Sequence, residues 1–147
     1  MILKNVTAAA IAGLLCVSFV APVIAQDMLM GADAIAKRQE LMKSNGGTLR
    51  AAGSATGDAA IAAARTLVDN FAALADLWPE DSMEGNTKAL PVVWSYNEGF
   101  MVAFSKSVDA AANLLAAAQS GDAAAYQAAF GELRGSCGGC HDTYRAK

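Results

Sequence analysis

The spacing of the apolar residues constrains the fold of this chain more than any other feature. Apolar side chains recur every three or four positions in four successive segments, over about 28–52, 58–78, 91–119 and 122–147. Alanine is abundant and only 3 of the 147 residues are proline, which favours helices over strands. Four amphipathic helices of similar length, joined by short connections, predict an all-α fold, an antiparallel four-helix bundle.

The ends of these helices carry local signals. Asp58 and Asp122 are predicted as the N-caps of the second and fourth helices. Pro79 is expected to stop the second helix, while Pro91 is tolerated in the first turn of the third. The glycine pair at 46–47 is expected to interrupt the first helix.

Residues 1–25 have the pattern of a secretory signal peptide. A basic start at Lys4 precedes an apolar stretch over 8–20, and small residues lead to a predicted cleavage before Gln26. The alternative is a membrane anchor, for which the apolar stretch is short, because a spanning helix needs ~20 residues. The sequence therefore predicts export, and a protein that is not integral to the membrane after cleavage.

Cleavage leaves one predicted domain, residues 26–147. Its net charge is one unit below the −3 of the whole chain, because Lys4 is lost. An acidic domain without a basic patch excludes nucleic acid as an expected partner. Cys16 leaves with the signal, so that Cys137 and Cys140 are the two cysteines that remain.

These two cysteines belong to the run Cys137-Gly-Gly-Cys140-His141. Positions i, i+3 and i+4 lie on one face of a helix. The pattern C-x-x-C-H is the attachment signature of a c-type haem. Two thiols add across the two vinyl groups of the porphyrin, and the adjacent imidazole then lies under the iron as an axial ligand. The sequence therefore predicts one covalently bound haem c.

Three other chemistries use paired cysteines. A thioredoxin-like redox pair normally opens a helix after a strand, and no strand pattern precedes Cys137. A structural zinc site needs a fourth ligand, yet His141 is the only histidine of the chain. A disulfide between positions i and i+3 of one helix is sterically awkward. Haem attachment is the prediction that these residues favour.

Three blocks of the sequence resemble the class II c-type cytochromes, typified by the cytochrome c prime family. They are Arg-Gln-Glu-Leu-Met-Lys at 38–43, Thr-Lys-Ala-Leu-Pro-Val-Val-Trp at 87–94, and the C-terminal run at 137–145 preceded by Ala-Phe-Gly at 129–131. The blocks occur in the family's order and the likeness covers residues 27–147. The resemblance implies a four-helix bundle with its haem attached to the last helix.

The resemblance also implies a part for each block in holding the haem. His141 is the proximal iron ligand, and Cys137 and Cys140 form the thioethers. First-helix and loop residues approach the propionates or the haem edge, and one arginine lies near the proximal face; these are Arg38, Gln39, Thr87, Lys88 and Arg145. The alternatives are a solvated helix charge at Arg38, and at Arg145 a C-terminal charge favoured by the helix dipole.

Met42 lies one turn after Arg38, where the family places its distal residue. In one branch a methionine here binds the iron and gives a low-spin electron carrier, which the run 41–46 resembles. In cytochromes c prime proper the residue only shields a five-coordinate iron, and the blocks at 38–39 and 87–94 resemble these proteins. A methionine that merely fills the core is the third interpretation.

The resemblance implies two functions. The first is a periplasmic electron carrier that cycles between Fe(III) and Fe(II) with redox partner proteins of the periplasm. The alternative is a haem protein that binds nitric oxide or carbon monoxide at an open distal site. A small haem enzyme such as a peroxidase is a weaker hypothesis, because no distal histidine or paired acid supports it. A homodimer formed through an apolar stripe of the first two helices is also left open.

Overall fold

The computed structural model describes residues 28–147, and over these residues the fold is entirely helical. The helices are α1 (Gly31–Ala52), α2 (Gly57–Leu74), α3 (Val92–Ser95), α4 (Asn97–Ser120) and α5 (Ala123–Tyr144), with a 3-10 turn at Glu80–Ser82. The only β-type pairing in this part of the chain is an isolated bridge between Ala89 and Arg145. The predicted all-α fold is confirmed. The predicted signal, residues 1–25, lies outside the described residues.

The first two helix boundaries differ from the predictions. α1 begins at Gly31, whose N–H donates to the Asp81 carboxylate at 2.9 Å. α2 begins at Gly57 after Thr56, so Asp58 is in the first turn and its predicted capping role is wrong. α2 also ends at Leu74, short of the predicted stop, because the backbone tightens into i to i+3 hydrogen bonds there.

Two further expectations fail for different reasons. α1 continues through the glycine pair at 46–47, because packing along its inner face outweighs the low helix propensity of glycine. The predicted third helix is divided in two, since Tyr96 leaves helical geometry with φ −130° and ψ 57°.

Asp122 is the N-cap of α5, as predicted: its carboxylate accepts from the N–H groups of Ala124 and Ala125 at 2.9 and 3.0 Å.

The bundle core lies between α2, α4 and α5. α1 packs on α2, α2 on α4, and α4 on α5. The largest fully buried apolar side chains are Leu67, Leu74, Val93, Phe100, Leu114 and Leu133. Edge-to-face aromatic contacts continue the core, with Phe100 4.6 Å from Trp78 and 5.3 Å from Tyr144 between ring centroids.

α4 is, among the described residues, the one helix long and apolar enough to cross a membrane by length and composition. A helix in the middle of a bundle has the same composition. α4 packs against α2 on one side and α5 on the other.

The seam between α1 and α5 has two unlike ends. At the first, which we call the closed end, the Tyr126 hydroxyl donates to the Ala52 carbonyl at 2.9 Å, and the Phe130 ring packs against Gly53. At the other, the open end, cavities separate Met42 on α1 from His141 on α5. The fold therefore holds a crevice between its first and last helices.

Candidate haem site

The crevice consists of two adjoining cavities of about 390 and 210 Å³. Met42, Phe104, Cys140 and His141 line both cavities, so the two share a wall. Most of the remaining lining is apolar, which suits a large flat macrocycle.

The crevice brings together every residue that the resemblance assigned to the haem. Cys137 lines the smaller cavity. The larger cavity is lined by the others, namely Arg38, Gln39, Met42, Thr87, Lys88, Cys140, His141 and Arg145. Gly138 and Gly139, between the cysteines, are exposed and line neither cavity. The helical spacing of α5 therefore directs the two cysteines and the histidine into the crevice and the glycines away from it.

The protonation states of these side chains suit haem attachment. Burial raises the pKa of the Cys137 thiol, and burial together with the neighbouring Cys137 raises that of Cys140. Burial lowers the pKa of His141, as does the charge of Arg145, while Asp142 opposes them. At neutral pH the chain therefore presents two thiols and a neutral imidazole, the form that binds a metal.

The two ends of the crevice differ in charge. Arg38, Lys88 and Arg145 line the larger cavity, whereas no lysine or arginine of residues 28–147 lines the smaller one, where Cys137 lies. A haem has the same polarity, because its vinyl groups and its propionates lie at opposite edges of the ring. A haem whose vinyl edge was held by thioethers near the smaller cavity would turn its anionic edge toward the three cations of the larger one.

Arg38 also has a role that sequence reasoning missed. Its guanidinium donates to the Leu77 carbonyl at 2.8 Å, to the Ser82 hydroxyl and carbonyl at 2.7 and 3.0 Å, and to the Thr87 hydroxyl at 3.4 Å. These four bonds use both terminal nitrogens. Arg38 therefore fixes the connection between α2 and α3 onto α1, and only its Nε–H is left for a propionate.

Two tryptophans enclose the same guanidinium. The guanidinium carbon Cζ of Arg38 lies 4.6 Å from the Trp78 ring centroid and 5.6 Å from that of Trp94. Burial lowers the pKa of Arg38, but an arginine side chain keeps its charge at any ordinary pH. A permanent, partly desolvated positive charge is thus built into the wall of the larger cavity.

The last part of the connection between α2 and α3, which lines the larger cavity, closes the mouth of the crevice. The Gln39 amide on α1 donates to the Asn86 carbonyl at 2.6 Å. Further along, the Leu90 N–H donates to the Tyr144 carbonyl at 2.9 Å, and the Ala146 N–H donates to the Lys88 carbonyl at 2.8 Å. The segment 86–90 therefore joins α1 to the end of α5. We call it the strap.

Two buried donors in the described residues have no hydrogen-bond partner, and both belong to the crevice lining. They are Asn45 Nδ2 in the smaller cavity and Trp78 Nε1 in the larger one. Buried donors are almost always paired, so these two call for acceptors in the protein with its crevice filled. Sequence reasoning missed Asn45, although a polar residue on the apolar face of α1 was a visible signal.

Comparison with known proteins agrees with this geometry. The family model described as Cytochrome C' matches residues 33–145, more than half of the chain. The chain belongs to the cytochrome c prime family. As a member it carries one covalently bound haem c, and the thiols, the imidazole, the cations and the unpaired donors of the crevice fit that group.

Curated relatives of this cytochrome carry three different names. Cytochrome c-556 of Agrobacterium fabrum is 33% identical over 154 residues, which cover 100% of this chain and 98% of the relative. Cytochrome c' of Rubrivivax gelatinosus is 46% identical over 61 residues, or 42% of this chain. The latter match spans only about half, 47%, of the Rubrivivax protein, and a match to cytochrome c-554 of Cereibacter sphaeroides spans 64% of that relative.

Solved structures share the fold. A nitric oxide complex of a cytochrome c prime variant from Alcaligenes xylosoxidans has a TM-score of 0.71 and 30% identity, covering 78% of this chain and 94% of that one. A ferrous variant of the same protein with bound nitric oxide gives the same values. The four-helix bundle of this chain is therefore that of the cytochromes c prime.

Proposed function

We propose that this cytochrome is a periplasmic electron carrier whose haem iron is held between His141 and Met42. One observation carries the proposal: Met42 on α1 and His141 on α5 belong to two different helices and line both cavities. A thioether and an imidazole on opposite faces are the ligand pair of electron-transfer cytochromes c.

Within residues 28–147 no other methionine competes for this position. Met28, Met30, Met83 and Met101 are exposed, and none lines the crevice. His141 is the only histidine of the chain. A strong protein ligand opposite His141 would therefore be Met42.

The bound haem c supplies one-electron chemistry between Fe(III) and Fe(II). Around it, Arg38 holds a buried positive charge that favours the reduced state, because reduction removes one positive charge from the iron. The exposed Lys88 and Arg145, with Gln39 and Thr87, would bind the propionates and the proximal side. Apolar side chains such as Phe104 keep water from the site.

Replacement of Met42 by alanine tests the proposal. If Met42 is a ligand, Met42→Ala converts the haem from low-spin to high-spin and gives it fast carbon monoxide binding. Met101→Ala, which removes an exposed methionine of α4, is the control and leaves the spectrum unchanged. Optical spectra of both oxidation states, with and without carbon monoxide, measure the effect. A wild-type protein that is high-spin in both states at neutral pH would contradict the proposal.

The second candidate is a cytochrome that binds nitric oxide or carbon monoxide. The structures from Alcaligenes xylosoxidans, which have nitric oxide bound, favour it. In this case Met42 shields an open distal position, and Met42→Ala changes the rate of gas binding while leaving the spin state unchanged. Both candidates are haem proteins without a catalytic cycle.

Export is part of the proposal, because haem c is attached outside the cytoplasm and the partners would be redox proteins of the periplasm. The native protein should begin at or within a few residues of Gln26 and carry the added mass of one haem. Mass spectrometry of the intact protein measures both. A chain that still begins at Met1 would contradict the predicted signal.

A further inference from the structure

The unpaired amide of Asn45 points to a second residue that acts on the iron. Asn45 lies on α1, three residues after Met42, and is only 7% exposed. Residues three apart on a helix are neighbours on one face. Asn45 lines the smaller cavity together with Met42, Cys137 and His141.

A hydrogen bond from α2 determines which way this amide faces. Asn70 Nδ2 donates to Asn45 Oδ1 at 2.8 Å and to the Ser44 hydroxyl at 3.0 Å. The oxygen of Asn45 is therefore used on the α2 side. Its Nδ2 is buried and has no partner in the described part of the chain. An unpaired buried donor destabilises the fold, so an acceptor in the finished protein is expected.

The propionates are poor candidates for that acceptor. The three cations that suit them, Arg38, Lys88 and Arg145, line the larger cavity and not the smaller one. Around Asn45 the cavity is formed mainly by apolar groups, among them Leu49, Leu67, Phe71 and Leu133. The acceptor must therefore lie over the haem ring or be carried by the protein itself.

Few protein acceptors line the smaller cavity. Among the described residues, Ser107 on α4 offers a hydroxyl, while Met42 on α1 and Cys137 and Cys140 on α5 offer sulfurs that accept weakly. The nitrogen with which His141 faces the iron would be occupied by the metal. Of these groups only Met42 shares a helix face with Asn45.

We propose that Asn45 Nδ2 donates a hydrogen bond to the sulfur of Met42 and so raises the reduction potential of the haem. The inference rests on the proposed function, in which Met42 is an iron ligand. A donor on the sulfur withdraws electron density from it and weakens its donation to the metal, which disfavours Fe(III) more than Fe(II). Asn45 is then a positioning and tuning residue.

The test is a redox titration of the holoprotein and its variants. Asn45→Leu removes the donor at nearly constant volume, and Asn45→Ala removes it without the risk of crowding. Both should remain low-spin while the Fe(II) to Fe(III) ratio at a fixed potential falls by roughly threefold to tenfold, as one hydrogen bond allows. Tenfold corresponds to 59 mV for one electron. The sulfur-to-iron charge-transfer band of the ferric protein should shift as well.

Ser107→Ala is the matched control, because Ser107 is a buried polar residue of the same cavity on another helix. It should leave both the potential and the band unchanged. An equal shift in Ser107→Ala would mean that general polarity is responsible and would overturn the inference.

The remaining outcomes separate this inference from the function on which it rests. A low-spin wild type whose potential changes less than twofold in ratio in both Asn45 variants overturns the inference alone. A high-spin wild type overturns Met42 as ligand and this inference with it. Asn45 variants that release carbon monoxide faster at an unchanged potential would assign the amide to an external ligand, and would overturn the bond to sulfur.

Discussion

The two ends of the α1–α5 seam show two ways of completing a helix bundle. At the closed end the chain supplies every partner: the Tyr126 hydroxyl meets the Ala52 carbonyl, and Phe130 fills the space beside Gly53. At the open end the same two helices are separated by cavities, and the two buried unpaired donors of the described residues lie there. One half of the seam is held by packing, while the other is built to receive a group.

The cofactor of this protein is therefore also a structural element. A bundle without its haem would contain two apolar cavities and two unsatisfied donors, each of which costs stability. The strap and the Arg38 hydrogen bonds hold the open end together from the outside. They keep the shape of the crevice, but they cannot fill it.

The largest expected effect follows removal of the covalent attachment. In a Cys137→Ala, Cys140→Ala double variant, acidified organic solvent should extract all of the haem, whereas the wild type retains it even when denatured. Both thioethers are absent, so nothing covalent remains. Haem that survives extraction in the double variant would contradict the assignment.

The same variant, once stripped of haem, compares the two ends directly. Amide hydrogen exchange should be fast near Met42 and His141 and slow near Ala52 and Tyr126, because local stability follows packing. Equal protection along α5 would show that the two ends are not energetically different.

A smaller effect is expected from loss of the hydrogen bonds that Arg38 makes at the open end. Arg38→Met should lower the free energy of unfolding by about 3 kcal/mol, because the buried carbonyls of Leu77 and Ser82 lose a charged donor. Lys37→Met changes the position just before Arg38 on α1 and removes only an exposed ion pair with Glu40. It should lower the free energy of unfolding by less than about 1 kcal/mol. Denaturant titration of both holoproteins measures the difference. Similar losses in the two variants would mean that Arg38 does not fix the connection.

The smallest effect is expected at the closed end. Tyr126→Phe removes one hydrogen bond and should cost about 1 kcal/mol at pH 7. Burial raises the pKa of Tyr126 above its ordinary value of 10.0. The neutral phenol therefore stabilises the fold at neutral pH, and this contribution is lost as the pH rises above 10 through the folded-state pKa.

Unfolding measured at pH 7 and again above pH 10 checks the sign. The advantage of the wild type over Tyr126→Phe should shrink with rising pH, by at most about 1.4 kcal/mol per pH unit. A constant difference would show that the ionisation of Tyr126 is not linked to folding.

Much of this architecture could be predicted, because it follows from the periodic spacing of apolar residues in the sequence. The helical spacing of apolar residues indicated four helices, and the carboxylate of Asp122 capped α5 as expected. Local signals failed where packing outweighed them. The pair at 46–47 stays helical, and Asp58 is displaced from the cap position by a glycine with φ +54° at residue 57.

The crevice was predictable to the extent that its chemistry lies in contiguous motifs. Cys137, Cys140 and His141 lie within one short motif, and the other predicted residues lie within the three blocks that resemble the family. Arg38 shows the limit: its partners Leu77 and Ser82 lie on a connection without periodic structure. Their contact depends on how α1 and α2 pack, and no local pattern records it.

The strap also affects the order in which the molecule forms. It pairs Ala89, in the middle of the chain, with Arg145, near its end. Helices and contacts between neighbouring helices form quickly because they are local, whereas joining distant segments first has to overcome a large loss of chain entropy. The mouth of the crevice is therefore among the last parts to close. A newly made chain should therefore pass through an interval in which its helices are paired and the entrance is still open to an incoming haem.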